Sequence, residues 1–169
     1  MSVLNKLAKE VHQNAIEHGW WDEERSFGEI ISLCHSELSE ALEEYRNNRG
    51  LGEIYYNGNK PEGIPVELAD CIIRILDYCG ETDKELLNNV DTSNMLETEL
   101  LTFGDFITLW HLFLSKSFEE PYKQIYWLSC VIDDIYDWCE GENIDIDEAI
   151  CIKHEYNKSR PYRHGGKVI

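Results

Sequence analysis

Two short stretches carry the residues best suited to chemistry. Ser36-Glu37-Leu38-Ser39-Glu40 and Glu67-Leu68-Ala69-Asp70 each set two carboxylates three residues apart, with 26 residues between Glu40 and Glu67. On a helix that spacing makes the pair neighbours on one face. On a helical wheel the apolar stripe of the first stretch runs through Leu33, Ile30, Ala41, Cys34, Tyr45 and Leu38. Glu37 falls inside this stripe, and Glu40 and Glu44 lie along its edge. An acid on a buried face is costly unless a positive group meets it. Four acids converging from two helices would form an oxygen-rich cage suited to Mg²⁺ or Mn²⁺. The competing account is a solvated acidic face, which a lone E-x-x-E pair usually is.

The elements that must hold these acids are helical. Leu4, Leu7, Ala8, Val11 and Ala15 recur at helical spacing, giving a helix over 3–18 that Gly19 ends. Trp20 and Trp21 follow, and one of the two rings can be open to stack on a flat ligand. Ser26-Phe27-Gly28-Glu29 is a capping box and opens the helix of Glu37 and Glu40. A loop rich in Gly, Asn and Tyr runs through Gly58 and Pro61. Pro65 suits the first turn of the next helix, where Glu67 and Asp70 also profit from the helix dipole without any metal. A short helix is expected over Asp83 to Val90, then a polar stretch from Asp91 to Glu97. Asp145 or Asp147 can start a last helix through Ser159. The expected fold is an all-α helical bundle in a single domain over 1–169.

The second half of the chain repeats the first. Thr102–Glu120 aligns with Ser26–Glu44 without a gap, and nine of the nineteen positions are identical. Leu128, Ile132, Ile135, Asp137 and Cys139 then match Leu68, Ile72, Ile75, Asp77 and Cys79. Lys153-x-x-x-Asn157 answers Lys84-x-x-x-Asn88. The expectation is an internal duplication with repeats at about 26–90 and 102–160 and a basic tail at 161–169. The capping box, His35/His111, Glu43-Glu44 and Asp77/Asp137 persist in both repeats and read as structural. The four acids do not persist: Glu37 becomes Phe113, Glu40 becomes Lys116, Glu67 becomes Trp127 and Asp70 becomes Cys130. Four acids lost together look like one site dismantled as a unit, leaving an active first half and a degenerate second half.

Charge narrows the partners. The chain carries 33 acids against 15 bases, a formal charge of −18. It has no broad basic surface for nucleic acid. An anionic ligand would need metal ions or a local basic cluster to reach it. The C-terminal segment supplies such a cluster. Lys153, Asn157 and Arg160 share one helical face, and Arg163, His164, Gly165, Gly166 and Lys167 follow. Arg offers a fork to phosphate oxygens and Lys a point charge; the plain alternative is a frayed basic terminus. Met1 to Glu10 lacks an apolar run long enough for a signal peptide, and no segment approaches a membrane span. The six cysteines show no C-x-x-C and read as buried free thiols. A soluble, cytoplasmic protein is expected.

Glu37-x-x-Glu40 with Glu67-x-x-Asp70, followed by Lys153-x-x-x-Asn157-x-x-Arg160, Pro161-Tyr-Arg-His-Gly-Gly-Lys167 and His18-Gly-Trp-Trp21, resembles the MazG-like, all-α nucleoside triphosphate pyrophosphohydrolases, a group that includes the dimeric dUTPases. The resemblance covers nearly the whole chain. It departs at Lys84 and Asn88, which have Asp91 where an Arg would follow. The resemblance implies that Glu37, Glu40, Glu67 and Asp70 hold about two Mg²⁺ ions. It further implies conversion of a nucleoside triphosphate and water to the monophosphate and pyrophosphate. Glu40 or Glu44 would orient the water. Lys153, Asn157, Arg160, Arg163 and Lys167 would neutralise the phosphates, with Trp21 a candidate for stacking on the base. A homodimer is compatible with this picture. Two other classes compete: a nucleotide-binding sensor without turnover, and a di-metal iron bundle, which ordinarily uses Glu-x-x-His pairs absent here.

Overall fold

A computed structural model describes residues 3–87, 90 and 101–168. The all-α class holds. Helices α1 (Val3–Glu17), α2 (Phe27–Arg46), α3 (Ile64–Thr82), α4 (Phe103–Glu119), α5 (Gln124–Gly141) and α6 (Ile146–Lys158) account for most of it. Among the described residues the only strands are β1 (Tyr55–Asn57) and β2 (Lys60–Glu62), an antiparallel pair inside the expected loop. Gly58 supplies the positive φ that its two-residue turn requires.

The central element is α3. Its sequence is apolar almost all round, from Val66 and Leu68 through Ile72 and Ile73 to Leu76, and a helix of that kind must be covered on most sides. It packs against α1, α2 and α6, while α4 packs on α5 and on α2. One continuous core cluster runs from Ala8 to Ile150. On α1 and α3 the approach is set by Gly80: a Cβ there would sit 2.6 Å from the Ala8 carbonyl oxygen and closer still to the His12 side chain.

Both capping boxes form. Ser26 Oγ accepts from the Glu29 N–H at 3.1 Å while the Glu29 carboxylate takes the Ser26 N–H at 2.8 Å. Thr102 and Asp105 do the same for α4. Replacing Ser26 by Ala is expected to cost about 1 kcal/mol. In a chain of this size that is a melting shift of roughly 2–4 °C, and calorimetry showing none would mean that the cap contributes nothing.

Helices α2 and α4 run antiparallel and cross at His35 and His111, whose Nδ1 atoms lie 2.7 Å apart with the rings stacked. One Nδ1 donates and the other accepts, so the two imidazoles hold opposite tautomers. Burial lowers the pKa of each and favours this uncharged state.

The short helix expected over Asp83 to Val90 does not form in its described part. Asp83 takes the left-handed conformation that closes α3, and 84–87 are irregular. The backbone donors there go elsewhere: the Leu86 N–H to Asn5 Oδ1, the Leu87 N–H to Ser129 Oγ and the Val90 N–H to Asp133 Oδ2. Side chains of α1 and α5 thus outbid the helical ladder. Asn88 and the stretch from Asp91 to Glu97 lie outside the described residues.

Candidate active site

Three of the four acids meet. The buried face of α2 carries Glu37 and the first two turns of α3 carry Glu67 and Asp70, with carboxylate oxygens that lie within 4.8 Å of one another. Glu37 is 4% exposed and Glu67 3%. Two cations come to them. Arg74 donates to Glu37 Oε1 from both Nε (2.7 Å) and a terminal nitrogen (2.6 Å). Lys153, reaching in from α6 and 1% exposed, puts its ammonium 2.8 Å from Asp70 Oδ2. Three carboxylates against two cations would leave one negative charge buried if all were ionised. Glu67 carries the strain. Burial, reinforced by the charges of Asp70, Glu37 and Glu40 and opposed by Lys153, pushes its carboxyl up to about 8. Glu37 is also raised by burial, although Arg74 works against the shift.

Glu40 stands at the rim. It is exposed and outside the triad, accepting a 3.3 Å hydrogen bond from Ser36 Oγ, although its charge reaches Glu37 and Glu67. Glu44 is half-buried and held by the hairpin: both of its oxygens lie 3.1 Å from the Tyr55 hydroxyl. Lys60 on β2 pairs with Glu62 at 2.8 Å, and the charges of Glu67 and Glu40 help to raise its pKa against the opposing effect of burial. The hairpin therefore brings a cation to the acidic rim.

A cavity opens on the other side of Asp70. It is lined by α1 (Asn14), α3 (Asp70, Arg74, Asp77), α6 (His154, Asn157), Trp20, Arg25, Arg160 and His164. Burial, followed by the charges of Arg160, Lys167 and Arg74, drives His164 down to about 3, so this imidazole is neutral. Three guanidinium groups beside one cavity run against the charge of the chain.

The remaining candidates sit apart from the acids. Trp21 donates from Nε1 to Asp77 Oδ1 at 2.9 Å and packs edge-on against His12, so it belongs to the α1–α3 interface, and Trp20 is the tryptophan at the cavity. Arg163 ties the C-terminal segment to the end of α1: its N–H donates to the His18 carbonyl at 2.9 Å and its Nε to the Gly19 carbonyl at 3.1 Å. Tyr162 lies across Gly19, where any Cβ would collide with its ring, and hydrogen-bonds Asp22. Lys167 is exposed. The pairing of Arg163 with Gly19 is a structural task that the phosphate expectation did not foresee.

The aligned positions in the other half give a contrast. Phe113 and Trp127, which align with Glu37 and Glu67, also meet, with stacked rings 5.8 Å between centroids. Cys130 is buried, and Lys116 pairs locally with Glu119 at 2.8 Å. Apolar contact stands there in place of the acids.

No family model matches the chain, and no curated protein or solved structure is significantly similar to it. The site must speak through its donors. All three are carboxylates, no histidine joins them among the described residues, and His35 is engaged with His111 instead. An all-oxygen set fits a hard divalent cation. So does the carboxyl of Glu67, which neither Arg74 nor Lys153 pairs with, since they bind Glu37 and Asp70.

Arg25, Arg74 and His154 are residues that sequence reasoning missed. Arg74 had a signal, since it lies four residues after Asp70 and seven after Glu67, on their face of an otherwise apolar helix. His154 had none.

Proposed function

We propose that the protein is a Mg²⁺-dependent nucleoside triphosphate pyrophosphohydrolase. The observation that carries this reading is the buried triad of Glu37, Glu67 and Asp70 adjoining a cavity ringed by Arg25, Arg74 and Arg160. The resemblance of the acidic and C-terminal motifs to the MazG-like enzymes supports it. So does the sequence repeat, whose aligned positions meet as an acid pair in one half and an aromatic pair in the other.

In this reading Glu37, Glu67 and Asp70 would hold the metal, and Glu40 at the rim would be the fourth acid available to it. A bound Mg²⁺ would polarise a phosphoryl group and lower the pKa of a coordinated water. Metal binding would discharge the proton held by Glu67, because a ligating carboxylate must be ionised. Water adds to phosphorus, the bridging P–O bond between the α and β phosphates breaks, and the electron pair leaves with pyrophosphate. Arg160, and Lys153 where phosphate draws it from Asp70, stand to meet that charge. Glu40 or Glu44 takes the proton of the attacking water.

The test is pyrophosphate release over a panel of ribo- and deoxynucleoside triphosphates with Mg²⁺. Wild type should turn over at least one of them. Asp70→Asn should abolish that turnover while helicity is kept, and Lys116→Ala should stay within about twofold, the effect expected of an exposed ion pair. A second reading, a nucleotide sensor without turnover, draws on the two carboxylates already neutralised by Lys153 and Arg74. Thermal stabilisation by a nucleotide with no pyrophosphate released would favour it. Neither turnover nor stabilisation would remove both.

A further inference from the structure

Two arginines at the cavity beside the triad have nothing to hold. Arg25 lies in the connector after α1, and its side chain is 10% exposed. Its guanidinium sits over the rings of Trp20 (5.9 Å) and Trp21 (5.6 Å). Among the described residues its one ion pair is with Asp77 Oδ2 at 3.8 Å, beyond hydrogen-bond distance. Asp77 is committed elsewhere, since its Oδ1 meets His12 Nδ1 at 2.8 Å and Trp21 Nε1 at 2.9 Å. The Arg160 guanidinium rests over the ring of Tyr156 at 5.6 Å, with neither an ion pair nor a hydrogen bond among the described residues. Burial lowers the pKa of both arginines, and the charge of Arg74 works in the same direction.

Buried donors in folded proteins are almost always paired, and a desolvated cation is costly without an anion. Two open guanidinium forks on one cavity therefore call for an anion with several oxygens. The other cations nearby are taken, Arg74 by Glu37 and Lys153 by Asp70. The cavity's two histidines add no charge. Burial, the largest effect on each, holds His154 and His164 neutral, and the ring nitrogens of His154 are shut in without partners.

The two forks stand at different levels along α3. Glu67, Asp70, Arg74 and Asp77 follow one another down one face of that helix, and Asp77 lies about 10 Å beyond Asp70 at 1.5 Å per residue. Arg160 feels the charges of Asp70 and Glu37, whereas Arg25 feels that of Asp77, and both feel Arg74. A phosphate chain that starts at the acids and runs along α3 thus meets Arg160 first and Arg25 last.

We infer that Arg25 is a further substrate-binding residue, which clamps the terminal phosphate of a nucleoside triphosphate with Arg160 and so makes diphosphates poor substrates. The inference rests on the hydrolase reading above and deepens it by naming the tail that the substrate must carry.

The experiment compares wild type with Arg25→Gln in two measurements. One is calorimetric binding of pyrophosphate with Mg²⁺. The other is kcat/KM for the triphosphate that wild type turns over best and for its diphosphate, read as monophosphate release. Pyrophosphate should bind the variant at least about tenfold more weakly, the scale of a hydrogen bond to a charged group. Wild type should favour the triphosphate by a similar factor, and in Arg25→Gln that ratio should fall toward one because the triphosphate alone suffers. An unchanged pyrophosphate affinity, an unchanged ratio, or equal use of the diphosphate by wild type overturns the inference and leaves the hydrolase intact. Should Arg25→Gln lose its helical circular dichroism, Arg25→Lys decides instead. Lysine keeps the charge without the fork, so pyrophosphate affinity should still fall by about fivefold, and affinity equal to wild type overturns the inference. Absence of turnover with every triphosphate counts against the hydrolase, and the pyrophosphate titration then reads the clamp by itself.

Discussion

A Glu67→Gln protein should lose Mg²⁺-dependent pyrophosphate release by about 10²–10³-fold, the scale on which one preorganised electrostatic contact acts, and yet be more stable than wild type in metal-free buffer at pH 8. Both effects have one cause. In the folded chain the Glu67 carboxyl is held up to about 8, first by burial and then by Asp70, Glu37 and Glu40. Unfolded, it returns to the ordinary glutamate range near 4.3. Below that range both states are protonated and Glu67 has no pH-dependent effect. Between the two values folding takes up a proton, so metal-free stability falls as pH rises, by at most about 1.4 kcal/mol per pH unit. Above about 8 the loss levels off. Glutamine has no proton to lose and should flatten this part of the profile. Mg²⁺ should reverse the wild-type trend at pH 8, because it binds the ionised carboxylate and stabilises the fold that holds it. Melting curves in EDTA at several pH values test the claim. Parallel profiles for wild type and Glu67→Gln would show that Glu67 is not the strained acid.

Lys153→Met should be the most destabilising single change in the site, at about 3–5 kcal/mol. Methionine fits the space of the lysine stem, so packing is nearly kept. What goes is the only cation within ion-pair distance of Asp70 among the described residues, which leaves a part-buried carboxylate facing two more acids. At about 2–4 °C per kcal/mol for a chain of this length, the melting point should fall by roughly 10 °C. Adding Asp70→Asn to the same chain should restore most of the loss, because the unpaired charge is then gone. If the two changes simply add, the pair is not coupled and the cost lies in packing. Lys116→Ala is the control, because the Lys116–Glu119 pair is largely exposed and such pairs contribute little.

How much of this was legible in the sequence depended on whether a feature was local. The capping boxes, the helical stripes and Pro65 at the head of α3 are set by residues within a few positions of one another, and they stand where the pattern placed them. The placement of Glu37 inside an apolar stripe was enough to foresee its burial. Glu40 failed to join the triad for the complementary reason, since an edge position on a wheel leaves the side chain free to turn to solvent. Lys153 was read as a phosphate ligand from its spacing to Asn157 and Arg160. Only the packing of α6 on α3 shows that its ammonium sits on Asp70. The region after α3 escaped because Asn5, Ser129 and Asp133 claim its backbone donors, and those residues lie some 40 to 80 positions away in the chain. His154 carried no pattern at all, for an orphaned imidazole is defined by what fails to surround it.

Gly80 has a bearing on how this protein can change over generations. It lets α1 lie almost backbone to backbone on α3, and those two helices form one side of the cavity. A wall fixed by a missing side chain cannot be moved outward or inward in small steps, since every substitution at 80 drives the helices apart at once. Adaptation to a larger, smaller or differently functionalised ligand must therefore run through the opposite side, at Trp20, His154, Asn157 and His164. Variation among descendants of this sequence should concentrate there while position 80 stays silent.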